Sequence, residues 1–411
     1  MPIELRAITE DEHPEFHVVE ASSFGYVPTS EDQLAEDRTV FEYDRTIAAF
    51  DDGRIVATAC AFSFDMTVPG GAAVPVAAVS SVGVAGTHRR QGLLRRMMQH
   101  QLDDVAARGE SMAILNASEA GIYGRFGYGL AQLFQTWKLD TIRSTFAIPV
   151  RDDLRLRMVP KGEAAPVLAP IYDAWRRTRP GAVTQSDAWW TCVLSDHVDW
   201  RGGGPLLVVV CDPTETHAGG YASYVVDRDD APPGKWKMTV RELVAADDEV
   251  RARLWRFLLD VDLVGTVTVE AVPLDDPLRW RLRDPRQVQT IGVRDFVYVR
   301  IVDIPAALEA RAYEADGDLL LAVDDPFRPA TSGTYRVTAT GGAATVARTD
   351  DPASAADLAL DIADLGSLYL GGVTATELAR AGRITEHRPG ALTEADRLFK
   401  TSVAPFCITR F

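Results

Sequence analysis

Apolar and polar positions alternate over residues 3–8, after which the spacing becomes helical and places Phe16, Val19 and Phe24 towards a common core. Two runs of β-branched and small apolar residues, 46–50 and 54–64, flank Asp51, Asp52 and Gly53 and predict a hairpin. A strand over 74–84 follows. Leu94, Met97, Met98, Leu102 and Val105 then mark one face of a helix over 92–108, and 111–116 has the continuous apolar character of a fully buried strand. A strand over 133–139 is expected to close this first unit. After a weak linker at 148–153 the same order returns: a helix over 166–177, strands over 206–211, 221–227 and 235–244, a helix over 249–260, and a strand over 266–272. That repetition predicts an internal duplication. A Pro-, Asp- and Arg-rich loop (273–286) leads to a third unit. Its strands are expected at 296–301, 319–323, 333–339, 343–348 and 358–362, with helical stretches at 364–370, 374–381 and 392–399. The predicted class is α+β, with two mixed-sheet units in tandem and a smaller third domain.

Composition adds scale and environment. The 411 residues suffice for two or three domains, and a hydrophobic content of 46% supplies their cores. No apolar run approaches the roughly 18 residues of a membrane span, and the N-terminus lacks a signal pattern, so a soluble, cytoplasmic protein without a membrane partner is expected. Secretion without a recognisable signal stays open. Cys60, Cys192, Cys211 and Cys407 are scattered without metal-ligand spacing; they read as small core residues, and no metal site is expected. A net charge of −16 argues against nucleic acid as a partner. It is uneven, at −8 over 1–145, −2 over 146–300 and −6 over 301–411. Either this is ordinary solubility, or the first and last segments jointly attract cations.

Chemistry concentrates at 79–96, V-S-S-V-G-V-A-G-T-H-R-R-Q-G-L-L-R-R. A strand, a basic Gly-containing loop and a helix start form an anion-binding arrangement, because the first helical N–H groups are unpaired and the dipole end is positive. No Lys-Ser/Thr follows the last glycine, which excludes a P-loop, and no G-x-G-x-x-G supports a dinucleotide site. The second copy carries A-A-D-D-E-V (245–250) at the corresponding place, which would repel a phosphate and makes that unit non-catalytic. Residues 118–129, S-E-A-G-I-Y-G-R-F-G-Y-G, are too rich in glycine for a regular helix. Ser22, Ser80 and Ser81 have no His/Asp partners for a hydrolase triad, His88 reads as solvent-facing, and Trp175, Trp189 and Trp190 read as core.

The loop Arg89-x-x-Gly92-x-Leu94 resembles the acetyl-CoA loop of the GCN5-related N-acetyltransferases (GNAT), with Leu94 where a small residue is usual. Together with the 118–129 run, the total length and the terminal aromatic Phe411, the chain resembles the Eis family of actinobacterial aminoglycoside acetyltransferases over its whole length. The resemblance implies a catalytic GNAT domain (1–145), a degenerate GNAT-like domain (146–290) and a sterol-carrier-protein-like domain (291–411). It implies acetyl-CoA as cosubstrate, a small polyamine or aminoglycoside as acceptor, acetylated at one or several positions, and a homohexamer. Val82, Gly83 and Val84 would pair with the pantetheine arm. Arg90, Gln91, Gly92, Leu93, Leu94 and Arg95 would hold the pyrophosphate, with Arg90 and Arg95 as its charged partners and Arg96 solvated or paired elsewhere. Ser118 and Glu119 would border the cosubstrate, Tyr123 would be the general acid, and the Phe411 α-carboxylate the base.

Elementary chemistry tests those roles. Attack of an amine on a thioester needs a donor for the oxyanion, expected from a strand that splays at Gly83–Val84, and a proton for the leaving thiolate. A tyrosine at about 10 against a thiol at about 8.5 makes that transfer uphill by only ~2 kcal/mol, with no large shift required. A carboxylate near its usual 3.3–3.7 is a poor base, so Phe411 is expected to act chiefly by position. Glu31, Asp32, Glu36 and Asp37 are candidate substrate contacts. Two other readings stand beside this one: a protein-lysine acetyltransferase, and a lipid-binding carrier built on the third unit.

Overall fold

A computed structural model describes residues 3–26, 30–195, 204–228 and 231–411. The chain divides into two compact units, one of Met1–Gln132, Phe296–Ser402 and Thr409–Phe411, the other of Leu133–Asp295 and Val403–Ile408. No helix among the described residues is long and apolar enough to cross a membrane.

The first unit is built on a seven-stranded sheet ordered Glu4–Arg6, Thr46–Asp51, Arg54–Thr67, Ala73–Val84, Met112–Asn116, Val297–Ile301 and Gly129–Leu130. The predicted hairpin is present, and its turn takes positive φ at Asp52 (49°) and Gly53 (78°), as a tight two-residue turn demands. Ala73–Val84 and Met112–Asn116 pair in parallel, so a crossover must join them, and the helix Leu93–Ala107 supplies it. Met97, Met98, Leu102 and Val105 are fully buried, the stripe read from the sequence. The acidic stretch forms a helix, Glu31–Val40, capped by the Ser30 hydroxyl on Gln33 N–H. Phe24, expected in the core, is 43% exposed and stacks on Tyr26 at 6.1 Å, because the helix His13–Phe24 ends there at Gly25.

The second unit has its own seven-stranded sheet, ordered Gln289–Asp295, Leu133–Asp140, Val264–Val272, Trp236–Ala245, Gly220–Asp227, Leu207–Cys211 and Leu156–Val159. Trp236–Ala245 and Val264–Val272 are parallel and are joined through the helix Asp248–Leu259, repeating the first sheet's plan. One sequence expectation is corrected here. Leu133–Asp140 does not close the first sheet; it pairs with Val264–Val272 in the second. The vacated place beside Met112–Asn116 is taken by Val297–Ile301, which had been assigned to the third domain. The first copy thus gives one strand to the second sheet and receives one from beyond the second copy. Gln289–Asp295, an edge strand beside Leu133–Asp140, was not foreseen.

A five-stranded sheet, ordered Ala343–Thr349, Gly333–Thr340, Gly317–Asp324, Leu358–Asp361 and Ile384–Glu386, belongs to the first unit. Its helix Ile362–Tyr369 lies against the first sheet with backbone on backbone. A Cβ on Gly129 would sit 1.7 Å from the Ala363 carbonyl oxygen, and one on Gly366 would sit 2.3 Å from that of Val299. Only glycine permits that approach.

Candidate functional site

Ala73–Val84 keeps its parallel partner only from Val76 to Val79, opposite Met112 to Leu115. Beyond Val79 the two strands part. On the other edge, Cys60 faces Ser80 while Thr58 faces Gly83, so Ser81 and Val82 together oppose one residue. This is a β-bulge, and Ser81 carries its strain at φ 54°, held by the buried Thr58 hydroxyl, which donates to the Ser81 carbonyl at 2.8 Å. The disruption expected at Gly83–Val84 therefore begins earlier, at Ser80–Val82. Gly83 is needed for close approach instead, since a Cβ there would meet the Ser23 Cβ at 2.9 Å.

The chain then turns through Gly86–His88 to Gly92, which precedes the helix with φ 79° and no side-chain cap. A Cβ on Gly92 would meet nothing within 4 Å, so the conformation, not crowding, demands glycine. Leu93 is buried in a cluster with Ile47, Ala57 and Met97, and Leu94 packs on a second cluster. Their side chains therefore belong to the core, and only their backbone N–H groups are directed to the helix start. Arg90 (φ 63°), Gln91 and Arg95 are exposed; the Gln91 amide reaches back to the Thr87 carbonyl at 3.4 Å. Arg89 is used structurally, donating to the carbonyls of Ser23 (3.1 Å) and Val84 (3.3 Å), and Arg96 donates to that of Ile3 at 3.1 Å. His88 is not solvent-facing as expected: its Nε2 pairs with Asp51 at 3.1 Å.

Ser118 and Glu119 are exposed just past the strand Met112–Asn116, and the glycine-rich run breaks into a four-residue helix, Ala120–Tyr123, and a tight turn. Tyr123 is 6% exposed, in a cluster with Val79, Met98, Leu115, Phe126 and Tyr128, with Val82 and Leu94 packed on it. Burial, reinforced by the charge of Glu119, pushes its phenol up to about 12. The acid role does not require this upward shift, which widens the gap to the thiol. Tyr128 meets it edge-on at 6.0 Å, and the Tyr128 hydroxyl is buried with no hydrogen-bond partner among the described residues.

The half-buried Phe411 lies at the same strand end. Its N–H donates to the Asn116 side-chain oxygen at 3.5 Å, its ring meets Phe64 at 5.7 Å, and the Asn116 amide donates to the Phe296 carbonyl at 3.1 Å. The structure thus gathers Val82, Leu94 and Tyr123 in one cluster, with Ser118 and Glu119 following the strand end that holds Phe411. Sequence reasoning missed Asn116, Ser81 and Thr58. A polar residue ending an otherwise apolar buried strand was the one signal available for Asn116. Of the candidate acids, Glu31 and Asp32 are exposed, while Glu36 and Asp37 are half-buried.

The second copy repeats the architecture with a different helix start. Its parallel pairing also stops, at Val240, and a bulge follows at Arg241. Here, however, Arg241 is paired to Glu270 at 3.0 Å, and the Asp247 carboxylate accepts from the N–H groups of Glu249 and Val250. The helix start that would take an anion is filled by the chain's own carboxylate.

Comparison with known proteins agrees with this layout. Residues 4–131 and 181–301 each match an acetyltransferase (GNAT) domain, and residues 304–408 match a sterol carrier protein domain. A protein of Streptomyces avermitilis described as an uncharacterized N-acetyltransferase is 39% identical over 408 residues, 99% of each chain. N-acetyltransferase Eis of Mycobacterium tuberculosis is 32% identical over 414 residues, 98% of each chain. The crystal structure of Eis1 from Mycobacterium abscessus superposes with a TM-score of 0.87 at 33% identity, covering the whole of both chains.

Proposed function

The chain belongs to the Eis family of GNAT N-acetyltransferases, and from that premise we propose that it acetylates amines of polycationic small molecules, aminoglycosides first among them, using acetyl-CoA. The observation that carries the reading is the contrast between the two helix starts, uncapped at Gly92 and filled by Asp247 in the second copy. In this reading residues 1–145 hold the catalytic machinery, 146–290 do not, and 291–411 bring in Phe411. Assembly as a homohexamer is part of the same proposal, read by light scattering.

The residues fit a diphosphate at Gly92: free N–H groups at Leu93 to Arg95, a positive dipole end, and the exposed Arg90 and Arg95. Acetyl-CoA supplies the activated acetyl group when bound. Val82 to Val84, past the last parallel pair, have peptide groups to offer the pantetheine amides, while Ser118 and Glu119 border the site. Overall, an N–C bond forms and the C–S bond breaks. Tyr123 gives its proton to the sulfur. With its phenol at about 12, that transfer to a solvated thiolate is uphill by roughly 5 kcal/mol. Desolvation in the same cluster raises the sulfur's proton affinity as well and narrows the gap. The Phe411 carboxyl group, tethered through Asn116 and the Phe64 ring, orients the ammonium and receives its proton on the way to solvent.

Release of free thiol from acetyl-CoA tests the function, with an aminoglycoside panel, linear polyamines and a lysine peptide as acceptors. Release with the multiply charged amines is expected. Release with the peptide alone would move the reading to protein-lysine acetylation. No release with any amine, on a protein that co-purifies with lipid, would replace the enzyme by a carrier.

A further inference from the structure

The five residues Asp324 to Arg328 leave a strand of the third sheet, yet the side chains of Asp325, Phe327 and Arg328 engage the first sheet, its cluster and its crossover helix. Asp325 accepts from Arg300 on Val297–Ile301 at 2.7 Å, with both side chains fully buried. Arg328 donates to the Leu102 carbonyl at 2.7 Å and pairs with Asp103 at 3.3 Å. Between these two anchors Phe327, 5% exposed, enters the cluster of Met98, Leu102 and Tyr123 and meets Phe126 edge-on at 5.0 Å. Its ring face carries the guanidinium of Arg95, whose Cζ stands 4.9 Å from the centroid.

Arg95 is an exposed, long side chain in the first turn of the helix that starts at Gly92. Unsupported, it samples many rotamers and loses that freedom on meeting an anion. A planar cation stacked on an aromatic face is pre-ordered, while its edge N–H groups remain available to phosphate oxygens. We propose that Phe327 is a positioning residue for the cosubstrate: its ring is the platform that holds Arg95 at the helix start, so the sterol-carrier-like domain sets affinity for the diphosphate part of acetyl-CoA. The inference rests on the reading that Arg95 meets that diphosphate. It gives the third domain a task in acetyl transfer that needs no lipid.

The test is the ratio of KM for acetyl-CoA to KM for S-acetyl-pantetheine, which lacks the diphosphate. Phe327→Leu is expected to raise that ratio about three- to fivefold, the size of an exposed cation–π contact. Phe327→Tyr, which keeps the π face, restores it. Phe327→Met fills similar space without a ring and replaces the Leu variant should that unfold on a thermal melt. In an Arg95→Ala background, Phe327→Leu adds nothing further to the ratio. Equal rises in both KM values would overturn the platform and leave only packing. An effect of Arg95→Ala without one of Phe327→Leu or Phe327→Met would overturn it while sparing the diphosphate reading. No effect of Arg95→Ala would remove both.

Discussion

Tyr123 combines two properties that pull against each other. Its ring is packed among apolar residues, which fixes the hydroxyl, and the same burial raises its phenol to about 12. It therefore stays protonated across the working range, and any alkaline loss of activity below pH 10 must come from another group. Tyr123→Phe preserves the packing, so kcat is expected to fall about 10²- to 10⁴-fold with the melting temperature held, as thiol-release kinetics and calorimetry would show. His13 offers a stability counterpart. It is 1% exposed and stacks on Phe41 at 4.3 Å, with the Tyr43 hydroxyl 3.2 Å from Nδ1. Burial, then Arg38 and His17, lowers it to about 4 against an opposing pull from Glu20. The folded form thus binds its proton later than the unfolded chain, and stability is lost as pH falls from 6.5 through 4. The loss is roughly 3 kcal/mol. Urea unfolding at pH 7 and pH 4.5 should show that decline in the wild type and a shallower one in His13→Gln. Neither role could be read from residue type alone. A tyrosine among glycines was visible as a candidate, but its environment is made in part by Val79, Met98 and Phe327, which lie far from it along the chain.

Elements were legible where periodicity was strong. The crossover helix, the hairpin and four strands of the third sheet fall within a few residues of expectation, because a buried stripe or an alternating run states its own geometry, whereas the short edge strand Ile384–Glu386 was missed. The helix Glu31–Val40 was missed since it buries little beyond Gln33 and owes its start to the Ser30 cap. The strand exchange was invisible for another reason: periodicity says that a segment is a strand and is silent about its neighbour. The two helix starts allow a comparison within one molecule. Gly92→Asp places a carboxylate where the second copy has Asp247, beside N–H groups that the anion needs. KM for acetyl-CoA is expected to rise at least about tenfold, with the cost in stability kept near ~1 kcal/mol because Asp tolerates positive φ better than most residues. Steady-state kinetics and chemical unfolding check both halves.

At the scale of the whole molecule, three family-like segments resolve into two compact units, with the third segment up to Ser402 in the first unit and Val403–Ile408 in the second. Within the first unit, the first sheet and the loop leaving the third sheet are joined by a buried ion pair, Arg300 with Asp325, both at 0% exposure. A pair so placed costs much in desolvation and is punishing to break on one side. Asp325→Asn is therefore expected to cost about 3–5 kcal/mol, whereas Arg300→Met with Asp325→Leu together should cost less than either single change. Equilibrium unfolding of Asp325→Asn, of Arg300→Met, of Asp325→Leu and of the double variant decides it. The candidate site follows the same logic: its loop, Asn116 and its tyrosine are local in sequence, Phe411 was signalled by the terminal aromatic, and Phe327 reaches the cluster through long-range folding that no motif announces.

The exchanged strands bear on how the protein is made. When the ribosome has released residue 145, the edge of Met112–Asn116 still lacks Val297–Ile301. At about 5–20 residues per second that strand emerges roughly 10–30 s later. Until then the nascent chain carries an unpaired apolar strand edge, a surface suited to a chaperone or to another nascent chain. The length of that interval is set by the pace of translation through residues 146–296, not by the sequence of the segment whose edge stands open.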